Sequence, residues 1–201
     1  EMSKLIIMVA SFAPQAGKTT FSDLFCRVDP CNPVASHQFA TPIKGMLSTL
    51  LRHHYGYTSA ESVEAMYGST KEDLLRDAPV THRKMLQTLG TEWRLALGYE
   101  TMWSDIVKSK IIRNDYNVSR FVIDDWRYIA EYDVIKQLEA RGFKVITVCI
   151  RNTSAEANYT GSHSSEGELK DFAFDHVVTN DGSMSDFITK VHQFAASLGA
   201  E

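Results

Sequence analysis

Residues 13–20 read Ala13-Pro14-Gln15-Ala16-Gly17-Lys18-Thr19-Thr20, an order of residue types that suits the capture of a phosphate chain. The phosphate-loop template is G-x-x-x-x-G-K-[ST]. Gly17, Lys18 and Thr19 match it, while Phe12 stands where the template has its first glycine. In such a loop the backbone N–H groups of Ala16, Gly17, Lys18, Thr19 and Thr20 converge on phosphate oxygens, and the dipole of the following helix adds to the attraction. Lys18 would set its charge against the β and γ oxygens, and Thr19 would offer its hydroxyl to Mg2+. Thr20 either ligates a phosphate oxygen or simply begins the helix. Three matching letters recur by chance, but the context is specific: the apolar run 5–10 (LIIMVA) lies directly before the loop and an amphipathic run directly after it. The competing reading is a loop with a solvated lysine. Phe12 either changes how the loop enters its turn or packs on a nucleoside.

A second set of residues follows the apolar run 120–124 (RFVID), which ends in Asp124-Asp125. Ligands of open α/β sheets bind at the carboxyl ends of strands. A carboxylate there can hold Mg2+ or accept a proton from an attacking oxygen; its ordinary alternative is to cap a helix. We assign Asp124 to the site and the cap to its neighbour. Arg127 and Glu131 lie four residues apart, so on a helix they share a face. They form either an exposed ion pair or a phosphate-reaching arginine oriented by a carboxylate. Arg83, Gln87 and Arg94 follow helical spacing and fall on one polar face, where two guanidiniums can clamp a monophosphate and an amide can read a base edge. A solvated polar face explains the same spacing. Arg151 ends a third apolar run and precedes a polar stretch holding His163, Ser165 and Glu166, of the kind that closes over a site to exclude water.

Elements must carry these groups. Residues 5–10, 120–124 and 144–150 read as strands buried on both faces, with residues 38–40 and 177–178 as shorter ones. Helices are predicted over residues 18–26, from Pro42 to Leu51, and over 59–75, 83–97, 103–113, 131–141 and 185–198. Gly90 weakens the fourth of these, and Gly142 stops the sixth. Residues 152–167 read as a mobile loop. Alternating strands and helices give an α/β fold with a parallel sheet. Of the 201 residues, 44% are hydrophobic, enough to bury one substantial core. The formal net charge of −4 speaks against a protein that grips a nucleic-acid backbone by charge alone. Three cysteines, Cys26, Cys31 and Cys149, form no CxxC pair. Together with the lack of a leader-like or membrane-length apolar segment, this predicts a reduced, soluble, cytoplasmic protein.

Several segments together resemble the phage deoxynucleoside monophosphate kinase family, within the P-loop nucleotide kinases. They are the loop Gln15-Ala16-Gly17-Lys18-Thr19-Thr20, Phe39-Ala40-Thr41-Pro42-Ile43-Lys44, and Arg83 with Leu86-Gln87-Thr88-Leu89-Gly90-Thr91-Glu92. Asp124-Asp125-Trp126-Arg127 with Glu131, His163 with Ser165-Glu166, and Asn180-Asp181-Gly182-Ser183 complete the set. The resemblance implies a single P-loop kinase domain over residues 1–201, with a helical acceptor-binding region at about 41–115 and a lid at about 151–168. It implies ATP and Mg2+ as co-substrates, a deoxynucleoside monophosphate acceptor, and a homodimer; a phage-encoded chain would work in the host cytoplasm. Lys18, Asp124 and Arg127 are then the expected catalytic residues, with Thr19 and Asp124 at the metal. Lys44, Arg83, Gln87, Arg94, Arg127, Glu131, Arg151 and Glu166 fall on the acceptor side. Two alternatives stay open: a kinase acting on 5-hydroxymethyluracil within DNA, which would need to admit a flipped base, and a nucleotide-binding protein without catalysis.

Overall fold

Every residue from 5 to 10 is buried, so the first strand, β1 (Lys4–Ser11), is covered on both faces. A strand in that position must lie inside a sheet flanked by other layers, and it does. The computed structural model describes residues 4–29, 31–114, 117–159 and 168–198. Its strands are β1, β2 (Val34–His37), β3 (Arg120–Ile123), β4 (Phe143–Arg151) and β5 (His176–Thr179). They form one five-stranded sheet in the order β2-β3-β1-β4-β5, and every pairing is parallel. Ile7 lies level with Val122 on one side and Ile146 on the other. The order reverses about β1, the arrangement that leaves a binding crevice at the carboxyl ends of the strands.

The chain divides into two compact units. One comprises Glu1–Gln38 and Ser104–Glu201, and the other Phe39–Trp103. In the sheet unit, helix α1 (Lys18–Val28) turns Phe21 and Phe25 onto Leu5, Ile7 and Val9, and the closing helix adds Phe187, Val191 and Phe194 to the same cluster. The rings of Phe21 and Phe25 stack at 6.1 Å, and Phe194 lies 5.4 Å from the first and 5.8 Å from the second. Burying such a side chain contributes about 1.5–3 kcal/mol, so these phenylalanines fix the axis of α1 and hence the place of its N-terminus.

The Phe39–Trp103 unit is helical. It holds α2 (Thr41–His54), α3 (Ser59–Tyr67), the short 3-10 turn Ser69–Glu72, and α4 (His82–Gln87), which runs through Thr88–Glu92 into α5 (Trp93–Ala96). Leu47, Leu51, Ala65, Met66 and Leu75 form its core. Residues 38–40, expected as a strand, instead lead into α2, whose first turn accommodates Pro42; the strand lies earlier, at Val34–His37, where it pairs with β3. The long helix predicted at 83–97 is interrupted: Thr88–Glu92 is a π turn. A π turn carries one residue more than an α turn, so it rotates everything beyond it. The indole Nε1 of Trp103 donates to the Gly90 carbonyl at 2.9 Å, giving a partner to a carbonyl that the irregular turn exposes. Trp103 is buried.

The chain continues through α6 (Met102–Arg113), β3, α7 (Ile129–Lys136), the 3-10 turn Gln137–Arg141 and β4. Gly142, at φ 82°, ends that turn, as the sequence predicts. The stretch after β4 opens with a short helix, α8 (Thr153–Ala157), capped by the Asn152 side chain, which accepts from the Ala155 N–H at 2.8 Å. β5 and α9 (Met184–Ser197) complete the chain. Among the described residues no helix is long and apolar enough to cross a membrane.

The indole bond to the π turn makes a stability prediction. Trp103→Phe deletes the donor and one ring of the buried indole, so it should lower unfolding stability by about 2–3 kcal/mol from the lost bond and the space left behind, read as a reduced urea midpoint at unchanged slope. An unchanged midpoint would mean that the bond is dispensable.

Candidate phosphate site

The loop between β1 and α1 makes two left-handed turns. Gln15 has φ 61° and Gly17 has φ 109°; for Gly17 the missing Cβ is what allows it. Phe12 is not among the residues with positive φ, so the first template position needs no glycine here. Its ring instead meets Phe174 edge-on at 6.1 Å and lies 5.0 Å beneath the Arg151 guanidinium. Phe174 belongs to an aromatic group with Trp126, Phe172 and Tyr132. Together these rings pack the phosphate loop against the segment that follows β3.

Gly17 is the N-cap of α1. No side chain caps the helix, and its first turn holds no acid. The amides there are thus left to solvent or to a ligand, and an anion is the ligand that a helix N-terminus favours. Lys18 stands at the first helical position, and its Nζ donates to Ser11 Oγ at 2.7 Å, while that hydroxyl donates to the Ala13 carbonyl at 2.9 Å. Ser11, Phe12, Ala13, Pro14, Lys18, Trp126, Arg127 and Leu169 line a shallow cavity of about 40 Å³. That volume takes a few waters, which suits the oxygens of a phosphate rather than a whole nucleotide.

The electrostatics centre on Lys18. Burial of its ammonium, and then the nearby Arg127 charge, pull its pKa from 10.5 down to about 8, against the opposite pull of Asp125 and Asp124. Two cations and two carboxylates therefore act on one spot. Asp124 is buried and accepts from Gln38 Nε2 at 2.8 Å. Neither aspartate caps α7, contrary to the sequence expectation for one of them: the N-cap is Tyr128. Glu131, buried, accepts the backbone N–H of Arg127 at 2.9 Å and of Tyr128 at 3.1 Å. It thus holds the backbone that carries Arg127. Glu168 accepts the Ile129 N–H at 2.8 Å, fixing the start of the same helix.

Among the expected site residues, Ala16, Gly17, Lys18, Thr19, Thr20, Asp124, Arg127, Glu131 and Arg151 all fall in the sheet unit at or just after the carboxyl ends of its strands. Thr19 is exposed and Thr20 half-buried. Arg151 makes a bidentate pair with Glu156, both bonds 2.6 Å. Lys44, Arg83, Gln87 and Arg94 belong to the helical unit. The Lys44 ammonium lies 4.0 Å over the Tyr67 ring. Arg83 is exposed and pairs with Glu72, whereas Arg94 is buried and donates to the Glu100 carbonyl. The π turn between them gives the two arginines different surroundings, so the single polar face expected from 3.6-residue spacing is not present. Glu166 and His163 lie outside the described residues.

The donor set fits a nucleoside triphosphate with Mg2+: an uncapped helix N-terminus, an ammonium beside it, a threonine hydroxyl and a carboxylate. No group of three or more His, Cys, Asp or Glu among the described residues is arranged to hold a metal ion. Mg2+ rarely needs one, because it is commonly held by one or two carboxylates together with substrate phosphates.

Fold and site define a phosphate-loop α/β protein. The profile of the deoxynucleotide monophosphate kinase family matches residues 52–191, and the chain belongs to that family. Deoxynucleoside-5'-monophosphate kinase of Escherichia phage T5 is 28% identical over 119 residues, which are 58% of this chain and 46% of the relative. The match thus spans just under half the length of that curated relative. Solved structures give distant likenesses. They include a dephospho-CoA kinase from Campylobacter jejuni (15% identity, 98% of each chain, TM-score 0.45) and a sugar kinase from Janibacter sp. HTCC2649 (13% identity, 96% of this chain and 95% of that one, TM-score 0.46).

The lowered pKa of Lys18 predicts a pH dependence. Below about pH 8 the ammonium is charged in the folded protein, at a cost to stability that is relieved as pH rises through about 8 to 10.5. A bound polyphosphate favours the charged form, so affinity for Mg-ATP, whose phosphates stay fully ionised from about pH 7 to 9.5, should hold below pH 8. Above it, affinity should fall by up to about tenfold per unit, with proton uptake on binding. Calorimetry in two buffers of different ionisation enthalpy reads both. Constant affinity from pH 7 to 9.5 would contradict the assignment.

Proposed function

We propose that this protein is a nucleotide kinase that transfers the γ-phosphate of ATP to a deoxynucleoside monophosphate, giving ADP and a deoxynucleoside diphosphate. One observation carries the reading: Lys18 stands at an uncapped helix N-terminus beside Arg127 and two strand-end carboxylates, in a chain of the deoxynucleotide monophosphate kinase family. The name of the phage T5 relative supports a monophosphate acceptor.

The roles follow from charge and position. The loop amides and Lys18 bind the β and γ phosphates and stabilise charge that grows as the phosphoryl group moves. Arg127 supplies a second cation to the same oxygens. Asp124, oriented by Gln38, is the proposed partner of Mg2+ together with Thr19, or the acceptor of the attacking oxygen's proton. Asp124 and Thr19 would hold Mg2+, which would supply neutralisation of phosphate charge. Lys44, Arg83 and Gln87 are the proposed acceptor-side groups. Arg94, buried on a backbone carbonyl, supports the helical run that bears Arg83 and Gln87, while Lys44 stands on α2, and Glu131 supports Arg127. Transfer of this kind needs positioning and charge neutralisation rather than a covalent enzyme intermediate.

A coupled ADP-release assay with a panel of deoxynucleoside monophosphates and with 5-hydroxymethyluracil-containing DNA tests the proposal. Turnover of at least one monophosphate, and none of the DNA, is expected. Phosphorylation of the DNA alone would replace the acceptor, and ATP consumption with neither would remove the reading. Lys18→Ala should lower kcat by about 10²–10³ with an unchanged circular dichroism spectrum.

A further inference from the structure

The β5–α9 junction carries a residue that no sequence motif assigned a role. Asn180 is the first residue after β5, and its side-chain Nδ2 donates to the Ala16 carbonyl in the phosphate loop at 3.0 Å. The contact is close on both sides of the peptide it addresses. A Cβ placed on Gly17 would come within 2.6 Å of the same Nδ2 and 3.6 Å of Phe187. Glycine at 17 is therefore required twice, for its φ of 109° and for room beside this amide.

Asn180 is itself held. Its backbone N–H donates to the Arg151 carbonyl at 2.7 Å, and its own carbonyl accepts from Asn152 Nδ2. The adjoining Asp181 accepts the Thr153 N–H at 2.6 Å and its hydroxyl at 3.1 Å. β4 and β5 are in register up to Arg151 and Thr179, so the asparagine projects from a paired, bonded end of the sheet. A short side chain on such a base is a rigid donor.

In a trans peptide the C=O and N–H point in opposite directions. Pinning the Ala16 carbonyl towards Asn180 turns the Gly17 N–H away from it. We propose that Asn180 is a positioning residue for the triphosphate: it holds the Ala16–Gly17 peptide in the one orientation that presents the Gly17 N–H to a phosphate oxygen. This rests on the triphosphate site of the proposed function. Asn180 contacts no phosphate; it acts through the loop, and a peptide free to rotate would offer a carbonyl oxygen to the anion as readily as an N–H.

The test compares wild type, Asn180→Ala and Asn180→Asp. Ala removes the donor, and Asp keeps the size but sets a carboxylate against the Ala16 oxygen. Calorimetry measures Mg-ATP and Mg-tripolyphosphate, steady-state kinetics measure KM for each substrate, and thermal melting checks the fold. Affinity for both polyphosphates should fall by about tenfold or more, equivalent to one lost charge-assisted bond. The order should be wild type, then Ala, then Asp, with the acceptor KM unchanged. If Asp prevents folding, the Ala variant alone decides. Wild-type-like affinity in a folded Ala variant overturns the inference. So does equal loss for acceptor and ATP, which marks a merely structural role, or loss for ATP but not tripolyphosphate, which marks a contact to the nucleoside. Failure of wild type to bind Mg-ATP overturns the proposed function and this inference with it; a binding wild type with an indifferent variant overturns this inference alone.

Discussion

At Gly17 the backbone takes φ 109° and ψ 16°, a combination strained for any residue with a Cβ. The groups that gather at the strand ends depend on it. A chain leaving a fully buried strand must reverse within a few residues if the next helix is to pack back on the same sheet. The left-handed residues Gln15 and Gly17 make that reversal, and the burial of Phe21 and Phe25 on Leu5, Ile7 and Val9 holds its far end. Helix α1 then starts beside the carboxyl end of β1, with its first amides and Lys18 directed to one place. Asp124, Arg151 and Asn180 arrive nearby for a simpler reason: each ends or directly follows a parallel strand, and these strands end on the same side of the sheet.

That arrangement is costly without an anion. Lys18 is desolvated and repelled by Arg127, and only partly compensated by Asp125 and Asp124. Its bond to Ser11 gives the ammonium a neutral partner rather than a counter-ion. A helix N-terminus without a capping side chain leaves a further positive potential unmatched. Binding sites are commonly drawn from such locally unfavourable groupings, because a ligand that satisfies them gains what the fold has forgone. The surroundings hold the grouping in place: the aromatic group of Phe12, Trp126, Phe172 and Phe174 packs the loop from one direction, while Glu131 ties down the backbone of Arg127.

The sheet was legible because its signals are local. Continuous apolar runs locate β1, β3 and β4, Asp124 follows β3 and Gly142 precedes β4, and Pro42 marks the start of α2 through backbone chemistry alone. The phosphate loop was legible from three residues and their neighbours. Other features depended on information that spacing does not carry. The π turn at Thr88–Glu92 breaks the 3.6-residue period on which a shared face for Arg83, Gln87 and Arg94 relied; Gly90 was the one hint, since glycine marks a place where helix geometry is cheap to distort. Phe12 breaks a glycine template without strain, because its backbone does not need positive φ and its ring has aromatic neighbours distant in sequence. Glu131 reads at four-residue spacing either as an ion-pair partner of Arg127 or as the carboxylate that orients it, and spacing alone does not show that it does so by accepting the backbone amides of Arg127 and Tyr128. Asn180 belongs to one of the segments that carry the family resemblance, but its contact could not be read from spacing, since the carbonyl it holds lies 164 residues earlier.

The central claim is that the backbone amides at the start of α1 bind the phosphates of a nucleoside triphosphate. Amide hydrogen exchange of Gly17, Lys18, Thr19 and Thr20, followed with and without Mg-ATP, addresses those atoms directly. Exchange at these four positions should slow on addition of the nucleotide, more than at the N-terminus of α9, whose first turn is capped by Ser183. Unchanged exchange in this turn, with protection appearing elsewhere, would contradict the account.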